Sequence, residues 1–296
     1  MVLQRVPMEF LSLTTVEETL DKLSTYGSDA ALIAGGTHAR YMLMSGQTQA
    51  KAILHIERLE ALGGYVLNGS ARLGALTNMR QIAENEDIRV RFNSLAIAAG
   101  KCGGWQTQSV ATIGGNVCAA SPSADLLPPL LVLETEIELH SQVRGSRSLS
   151  LSDFITGAYQ SARAPDEMAT AFHLPLPAPR SANRYIKIQR RSAMERPIIG
   201  LALSLEMDDS QSHIKTIRIA LSGGGPMAFR AVEAEGLLTG QAPETEVLHA
   251  AAEAISARCT FRDDARASAT YRAAVLPRAF SHAVSECLAA ISDNGS

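Results

Sequence analysis

The sequence predicts an α+β chain in two domains, on three observations. Short apolar strands alternate with helical stretches through the first half, as in an α/β unit. The second half reads instead as three strands followed by helices, the order of an α+β domain. Between the halves lies Pro175-Leu176-Pro177-Ala178-Pro179, where proline fixes an extended connector and cannot continue a helix. The length of 296 residues agrees, since a domain averages about 150.

The elements follow in order. Val16 to Tyr26 reads as a helix with Thr15 as N-cap, Glu18 completing a capping box and Gly27 as its stop. Ala30 to Ala34 is a continuous apolar run, expected to be a strand buried on both faces. Ile53 to Ile56 and Ala71 to Leu76 read as strands, Met79 to Asn85 as a helix and Glu136 to His140 as an alternating strand. Ser121-Pro122 resembles an N-cap with proline at the first helical position, while Pro128 and Pro129 count against a regular helix. Past the prolines, Tyr185 to Gln189, Ile198 to Met207 and Ile214 to Ser222 read as strands. Arg230 to Leu238, Glu244 to Ala257 and Ala269 to Ala290 read as helices by their apolar spacing. There is no internal repeat and no low-complexity tail.

Composition argues against several classes of function. Lys plus Arg number 27 against 30 Asp plus Glu, a net charge of −3, with 46% hydrophobic and 19% charged residues. A nucleic-acid binder needs a basic excess, and this apolar content argues against disorder. No apolar run is long enough for a membrane span, and Met1 to Pro7 shows no leader-like apolar stretch, so a cytoplasmic location is expected. Cys102, Cys118, Cys259 and Cys287 form no C-x-x-C pair and no zinc or cluster spacing, so buried reduced thiols are expected and no metal ligand. No Ser-His-Asp or Cys-His nucleophile can be singled out, and no catalytic acid or base is assigned.

Two glycine turns stand out. In Ile33-Ala34-Gly35-Gly36-Thr37-His38 an apolar strand runs into two glycines and a hydroxyl. Such a turn brings backbone N–H groups close to a ligand and forms an anion nest suited to a pyrophosphate. It is neither G-x-G-x-x-G nor a P-loop, and a plain tight turn is the alternative. The second is Thr112-Ile113-Gly114-Gly115-Asn116, followed by Ser121-Pro122-Ser123-Ala124-Asp125. The Asp125 carboxylate suits sugar or ribityl hydroxyls, or else caps a helix. Two such turns in one domain point to an extended, phosphate-containing cofactor held mostly by backbone. Trp105, the only tryptophan, either covers a cofactor face or packs in the core.

These segments resemble the flavin-binding medium subunit of the molybdenum hydroxylases, the xanthine dehydrogenase, carbon monoxide dehydrogenase and N-heteroaromatic hydroxylase family. The resemblance extends in family order through Leu73 to Thr77, Asp153-Phe154, Pro165-Asp166-Glu167, Tyr185-Ile186-Lys187, Arg190 to Met194, Arg230-Ala231 and Asp264 to Arg272. It implies a PCMH-like FAD-binding domain of two α/β subdomains (about 1–56 and 57–176) and a C-terminal α+β domain over 177–296, with a small antiparallel sheet and helices. It implies that Ile33 to His38 wrap the FAD pyrophosphate, that Thr112 to Asn116 contact pyrophosphate and ribityl, and that Asp125 meets the ribityl chain. Met168 and Lys187 fall where the family approaches the isoalloxazine, and a lysine there would stabilise the anionic reduced ring. Three positions depart from the family: His38 stands for Asp, Met44 for Lys, and Glu195 for Asp. The cysteine-rich insertion that holds an extra [4Fe–4S] cluster in some relatives is absent.

The implied function is electron transfer. A large molybdopterin subunit oxidises a small substrate, a small subunit with two [2Fe–2S] clusters relays electrons, and FAD on this chain delivers them to an acceptor. A dimer of such heterotrimers is expected, with export from the cytoplasm by a partner's signal left open. The rivals are a stand-alone flavin oxidase, against which the short C-terminal part counts, and a flavin-free assembly scaffold, against which the glycine turns count.

Overall fold

The computed structural model describes residues 8–46 and 50–294. Met1 to Pro7, on which the leader expectation rests, lies outside the described residues. The first unit is a three-stranded parallel sheet of β1 (Glu9–Ser12), β2 (Ala30–Ile33) and β3 (Ala52–His55) in the order β1-β3-β2, with helices α1 (Val16–Tyr26) and α2 (Ala39–Met44). The α1 limits match the sequence reading. Thr15 Oγ1 accepts from Glu18 N at 3.1 Å, and Gly27 ends the helix at φ +51°. Leu20 and Leu23 bury one face of α1 against Leu54 of the central strand. The run from Ala30 is a strand, but it is the half-buried edge rather than a strand buried on both faces, because β3 takes the middle. Its Ala30 and Leu32, with Ala34 just beyond it, pack against the core of this unit.

A five-stranded antiparallel sheet comes next, built of β4 (Tyr65–Asn68), β5 (Ser70–Gly74), β6 (Glu136–Ser141), β7 (Gly145–Ser150) and β10 (Met168–Leu174), in the order β4-β5-β10-β6-β7. Between β5 and β6 the chain forms α3 (Met79–Glu84), α4 (Glu86–Arg91), α5 (Asn93–Gly100), α6 (Trp105–Val110), α7 (Ile113–Cys118) and α8 (Leu127–Val132). Between β7 and β10 lie α9 (Leu151–Phe154) and the small hairpin of β8 (Ile155–Gly157) and β9 (Gln160–Ser161). The Ser121-Pro122 helix start is not formed. The helix begins at Leu127 instead, with both prolines in its first turn, where missing N–H groups cost nothing. Pro165-Asp166-Glu167 locks this layer: Glu167 is buried, takes a bidentate Arg147 at 2.6 and 2.8 Å, and accepts from Ala164 N.

The C-terminal part is a four-stranded antiparallel sheet, β11 (Ser181–Ile188), β12 (Ile199–Met207), β13 (Ile214–Ser222) and β14 (Phe229–Arg230), followed by α10 (Val232–Leu238), α11 (Thr245–Arg258) and α12 (Ala269–Asn294). One face of the sheet packs Leu203, Leu205 and Ile219 against Phe280 and Val284 of α12. The other sends Tyr185, Ala202 and Ala220 into the core built by α5 and α8. The sheet is therefore clamped between its own helices and the N-terminal layer. Strand β11 starts four residues before Tyr185, at Ser181 opposite Glu206, and Arg230 is in a strand rather than in the helix that follows.

Candidate functional site

The first glycine turn leaves β2 and enters α2. Gly36 sits at φ +67°, in the left-handed region that glycine accepts without strain. No backbone carbonyl among the described residues takes the N–H groups of Gly35, Gly36, Thr37 or His38. Four free donors in succession form an anion cradle. The turn opens on a cavity of about 560 Å³ walled by Gly35, Gly36, Thr37, Arg40, Tyr41 and Met44. Arg40, in the first turn of α2, adds a cation that the motif reading missed. Its signal was legible: it stands four residues after Gly36, and its N–H donates to Gly36 O at 3.0 Å.

The two glycine segments meet. A Cβ placed on Gly35 would lie 1.8 Å from Val110 O, so the first turn is seated on the backbone just ahead of Thr112. The second segment, however, is not a second nest. Thr112 caps the short helix α7 through Gly115 N at 3.0 Å, while Ile113 N and Gly114 N donate to Thr77 O and Ala75 O. The glycine pair serves close packing: a Cβ on Gly114 would lie 2.7 Å from Ala75 O, which is why Leu73 to Thr77 belongs to the pattern. Asn116 is the member left over. Its Oδ1 is buried without a partner and its Nδ2 reaches only Cys102 Sγ at 4.0 Å.

Asp125 does not cap a helix. It is buried, and it accepts from Tyr185 Oη at 2.9 Å and from Lys187 Nζ at 3.0 Å. The Lys187 side chain is fully buried and also donates to Lys101 O at 2.7 Å. The pair thus joins the N-terminal layer to β11, across 62 residues of sequence. Burial pushes the Asp125 carboxyl up to about 6, and the Lys187 and Tyr185 contacts oppose that rise. Met168 lies in strand β10. Its side chain has no exposed surface and packs in the core with Leu54 and Leu59, so it offers no side-chain contact to a ring.

His38 stacks flat on Tyr159, with centroids 6.0 Å apart and planes 2° apart. Burial, and then the Arg196 guanidinium, hold its imidazole below the usual range, so it is neutral at pH 7. Arg196 belongs to the segment between β11 and β12, which is anchored from several sides. Glu195 takes Arg190 at 2.6 Å, Arg190 donates to Ala265 O, and Arg266 and Arg272 donate to Pro197 O and Ile198 O. Asp264 pairs with both of those arginines. Met194 N donates to Gly103 O at 3.0 Å, bringing the segment onto the N-terminal layer. The Arg190 to Met194 and Asp264 to Arg272 motifs therefore share one structural task.

Trp105 is exposed at 59% and carries the Arg80 guanidinium 3.4 Å from its ring, so the core reading fails for it. All four cysteines are free thiols; burial pushes Cys102 and Cys287 up to about 12. Among the described residues no group of His, Cys, Asp or Glu could hold a metal ion, and no helix is long and apolar enough to cross a membrane.

The residues fit FAD. The free donors at Gly35 to His38 with Arg40 match a pyrophosphate, and the orphaned Asn116 Oδ1 matches a hydroxyl donor. The class is then plain: residues 6–177 match the family described as the FAD binding domain in molybdopterin dehydrogenase. Residues 184–287 match the carbon monoxide dehydrogenase flavoprotein C-terminal domain. The chain belongs to this family and is an FAD-binding medium subunit of the xanthine and CO dehydrogenase type.

Particular relatives agree. The chain is 30% identical over 265 residues to the xanthine dehydrogenase FAD-binding subunit of Escherichia coli O157:H7, covering 88% of this chain and 89% of that one. It is 28% identical to the carbon monoxide dehydrogenase medium chain of Hydrogenophaga pseudoflava, covering 90% and 92%. The solved carbon monoxide dehydrogenase of that organism, in a form lacking the Mo-pyranopterin moiety, superposes with a TM-score of 0.90 at 27% identity, over 96% of this chain and 98% of that one.

Proposed function

We propose that this chain is the electron-delivering flavoprotein of a three-subunit molybdenum hydroxylase. Its partners would be a large molybdopterin subunit and a small subunit with two [2Fe–2S] clusters, doubled into a dimer of heterotrimers in the cytoplasm. The observation that carries this reading is the row of N–H groups at Gly35 to His38, free of any described backbone acceptor and beside Arg40, a cradle suited to a bound anion. FAD when bound supplies the exchange between one-electron and two-electron carriers. Gly35, Gly36, Thr37 and Arg40 hold its phosphates, with Ile33 and Ala34 aiming the turn and His38 closing it against Tyr159. The backbone of Val110 and Ala111 seats that turn, and Thr112 to Gly115 follow it as the capped start of α7. Asn116 and Asp125 accept from ribityl hydroxyls, and Lys187, tied to Asp125, keeps a fixed positive charge at the junction with β11. We place the domain division at residues 176 and 177, and the subdomain division near residue 56.

Among the described residues no acid–base constellation for oxidising an organic substrate is singled out, and in this reading a partner supplies the electrons. The test follows flavin reduction by substrate in the purified chain alone and with its partner subunits. Reduction is expected only in the complex, and rapid reduction of the isolated chain by an organic substrate would establish a stand-alone oxidase. The cofactor is expected to be noncovalent, since Cys102 is a buried un-ionised thiol and His38 is occupied by its stack. Acid precipitation should release all the flavin as FAD into the supernatant. Colour retained in the pellet would show attachment, and FMN in the supernatant would refute the pyrophosphate cradle.

A further inference from the structure

A second cavity, of about 370 Å³, lies where α4, the start of α5, the proline connector, β11 and the end of α12 meet. It shares no residue with the cavity at the glycine turn. Three arginines line it: Arg89 and Arg91 from the last turn of α4, and Arg184 from β11. The guanidinium groups of Arg89 and Arg91 make no ion pair or hydrogen bond among the described residues. Arg184 is held by its neighbour's carbonyl, Asn183 O, at 2.9 Å and stands 3.9 Å from Glu286. Asp293 is the single acidic residue in the lining. One cation at the end of a six-residue helix is explained by its carbonyls. Two unpaired arginines and a third across the cavity are not.

The backbone of one wall is fixed before any ligand arrives. The Asn183 side chain accepts from Ser94 N at 2.7 Å and donates to Arg91 O at 2.9 Å, stapling β11 to the junction of α4 and α5. Asn93 and Ser181 add neutral polar groups to the lining. Arginine forks recognise phosphate oxygens in paired hydrogen bonds, and the volume is that of a small-molecule site. We propose that this cavity binds a small phosphate-bearing anion, with Arg89, Arg91 and Arg184 as its ligands.

The experiment uses full-length, FAD-loaded protein, so that the glycine turn is already filled. Inorganic phosphate, pyrophosphate and adenosine monophosphate are titrated calorimetrically at constant ionic strength. Saturable binding of at least one, at one site per chain, is expected; tighter binding of the nucleotide than of the inorganic ions would identify a nucleotide as the source. The Arg89→Gln, Arg91→Gln double variant should bind at least tenfold more weakly, with unchanged flavin content and unchanged melting temperature without phosphate. A Gly36→Val protein, expected to lack FAD, should still bind pyrophosphate. The proposal is overturned if none of the probes binds the FAD-loaded chain, if the double variant binds as well as the parent, or if binding disappears in Gly36→Val.

Discussion

Gly35→Ala is expected to yield protein without flavin and with a much lower melting temperature. The added Cβ would stand 1.8 Å from Val110 O and 2.4 Å from Val110 C, both backbone atoms that cannot swing aside. The turn must lift off α6, and forced overpacking of this kind costs about 1–3 kcal/mol or more. The neighbouring glycine separates two causes. At Gly36 a Cβ meets only Ile33 Cγ2 at 3.6 Å, but the residue sits at φ +67°. Gly36→Ala therefore costs only the left-handed penalty, about 1–2 kcal/mol, and Gly36→Val adds a branched side chain to the cradle. Absorbance at 450 nm per chain and thermal unfolding of apoprotein check both. Gly36→Val should lose flavin with a modest loss of apoprotein stability, whereas Gly35→Ala should lose both. A Gly35→Ala protein with full flavin and a parental melting temperature would mean that the two glycine segments do not need their contact.

The second glycine pair responds differently, and the difference explains what sequence could show. Both pairs look alike as Gly-Gly-Thr and Gly-Gly-Asn after apolar residues. Whether a backbone N–H is free depends on what comes back to meet it: Ala75 O and Thr77 O close the second segment, and no described residue closes the first. A Cβ on Gly115 would meet only Thr112 Oγ1 at 3.1 Å, so its sensitivity reflects the α7 cap rather than a nest. Patterns of local origin were legible, among them the α1 cap, the proline connector and the helices of the C-terminal part. The start of β11 was not, because Ser181, Ala182 and Asn183 lack an apolar alternation; their strand is dictated by pairing with β12 and by the Asn183 bonds to α4 and α5. Trp105 misleads for a similar reason. Its type favours burial, but a stacked Arg80 lets its face stay at the surface.

Asp125→Ala is expected to destabilise the chain by about 3–5 kcal/mol, the cost of stranding a buried charge by removing its partner. Lys187, fully buried, would keep only Lys101 O, and Tyr185 Oη would lose its acceptor. Asp125→Asn keeps an acceptor for both donors and removes the carboxylate, so it should be far milder. The pH dependence has a definite sign. The carboxyl is raised by burial from its ordinary range to about 6 in the folded chain. A group raised on folding lends stability that is complete below its unfolded value, near 4, and is lost as pH rises through the folded value. The Asp125 contribution to stability should therefore fall between about pH 4 and pH 6, by up to about 3 kcal/mol at 1.36 kcal/mol per pKa unit; it is read as the difference between wild type and Asp125→Asn, because carboxylates held low, such as Glu167 and Asp264, change the total with the opposite sign. Chemical denaturation of apoprotein across this range measures it. Replacing both partners, as in Asp125→Leu with Lys187→Met, should recover much of what Asp125→Ala loses, because no unpaired charge stays buried. Equal losses in the single and double variants would show that the pair is held by its packing and not by its charges.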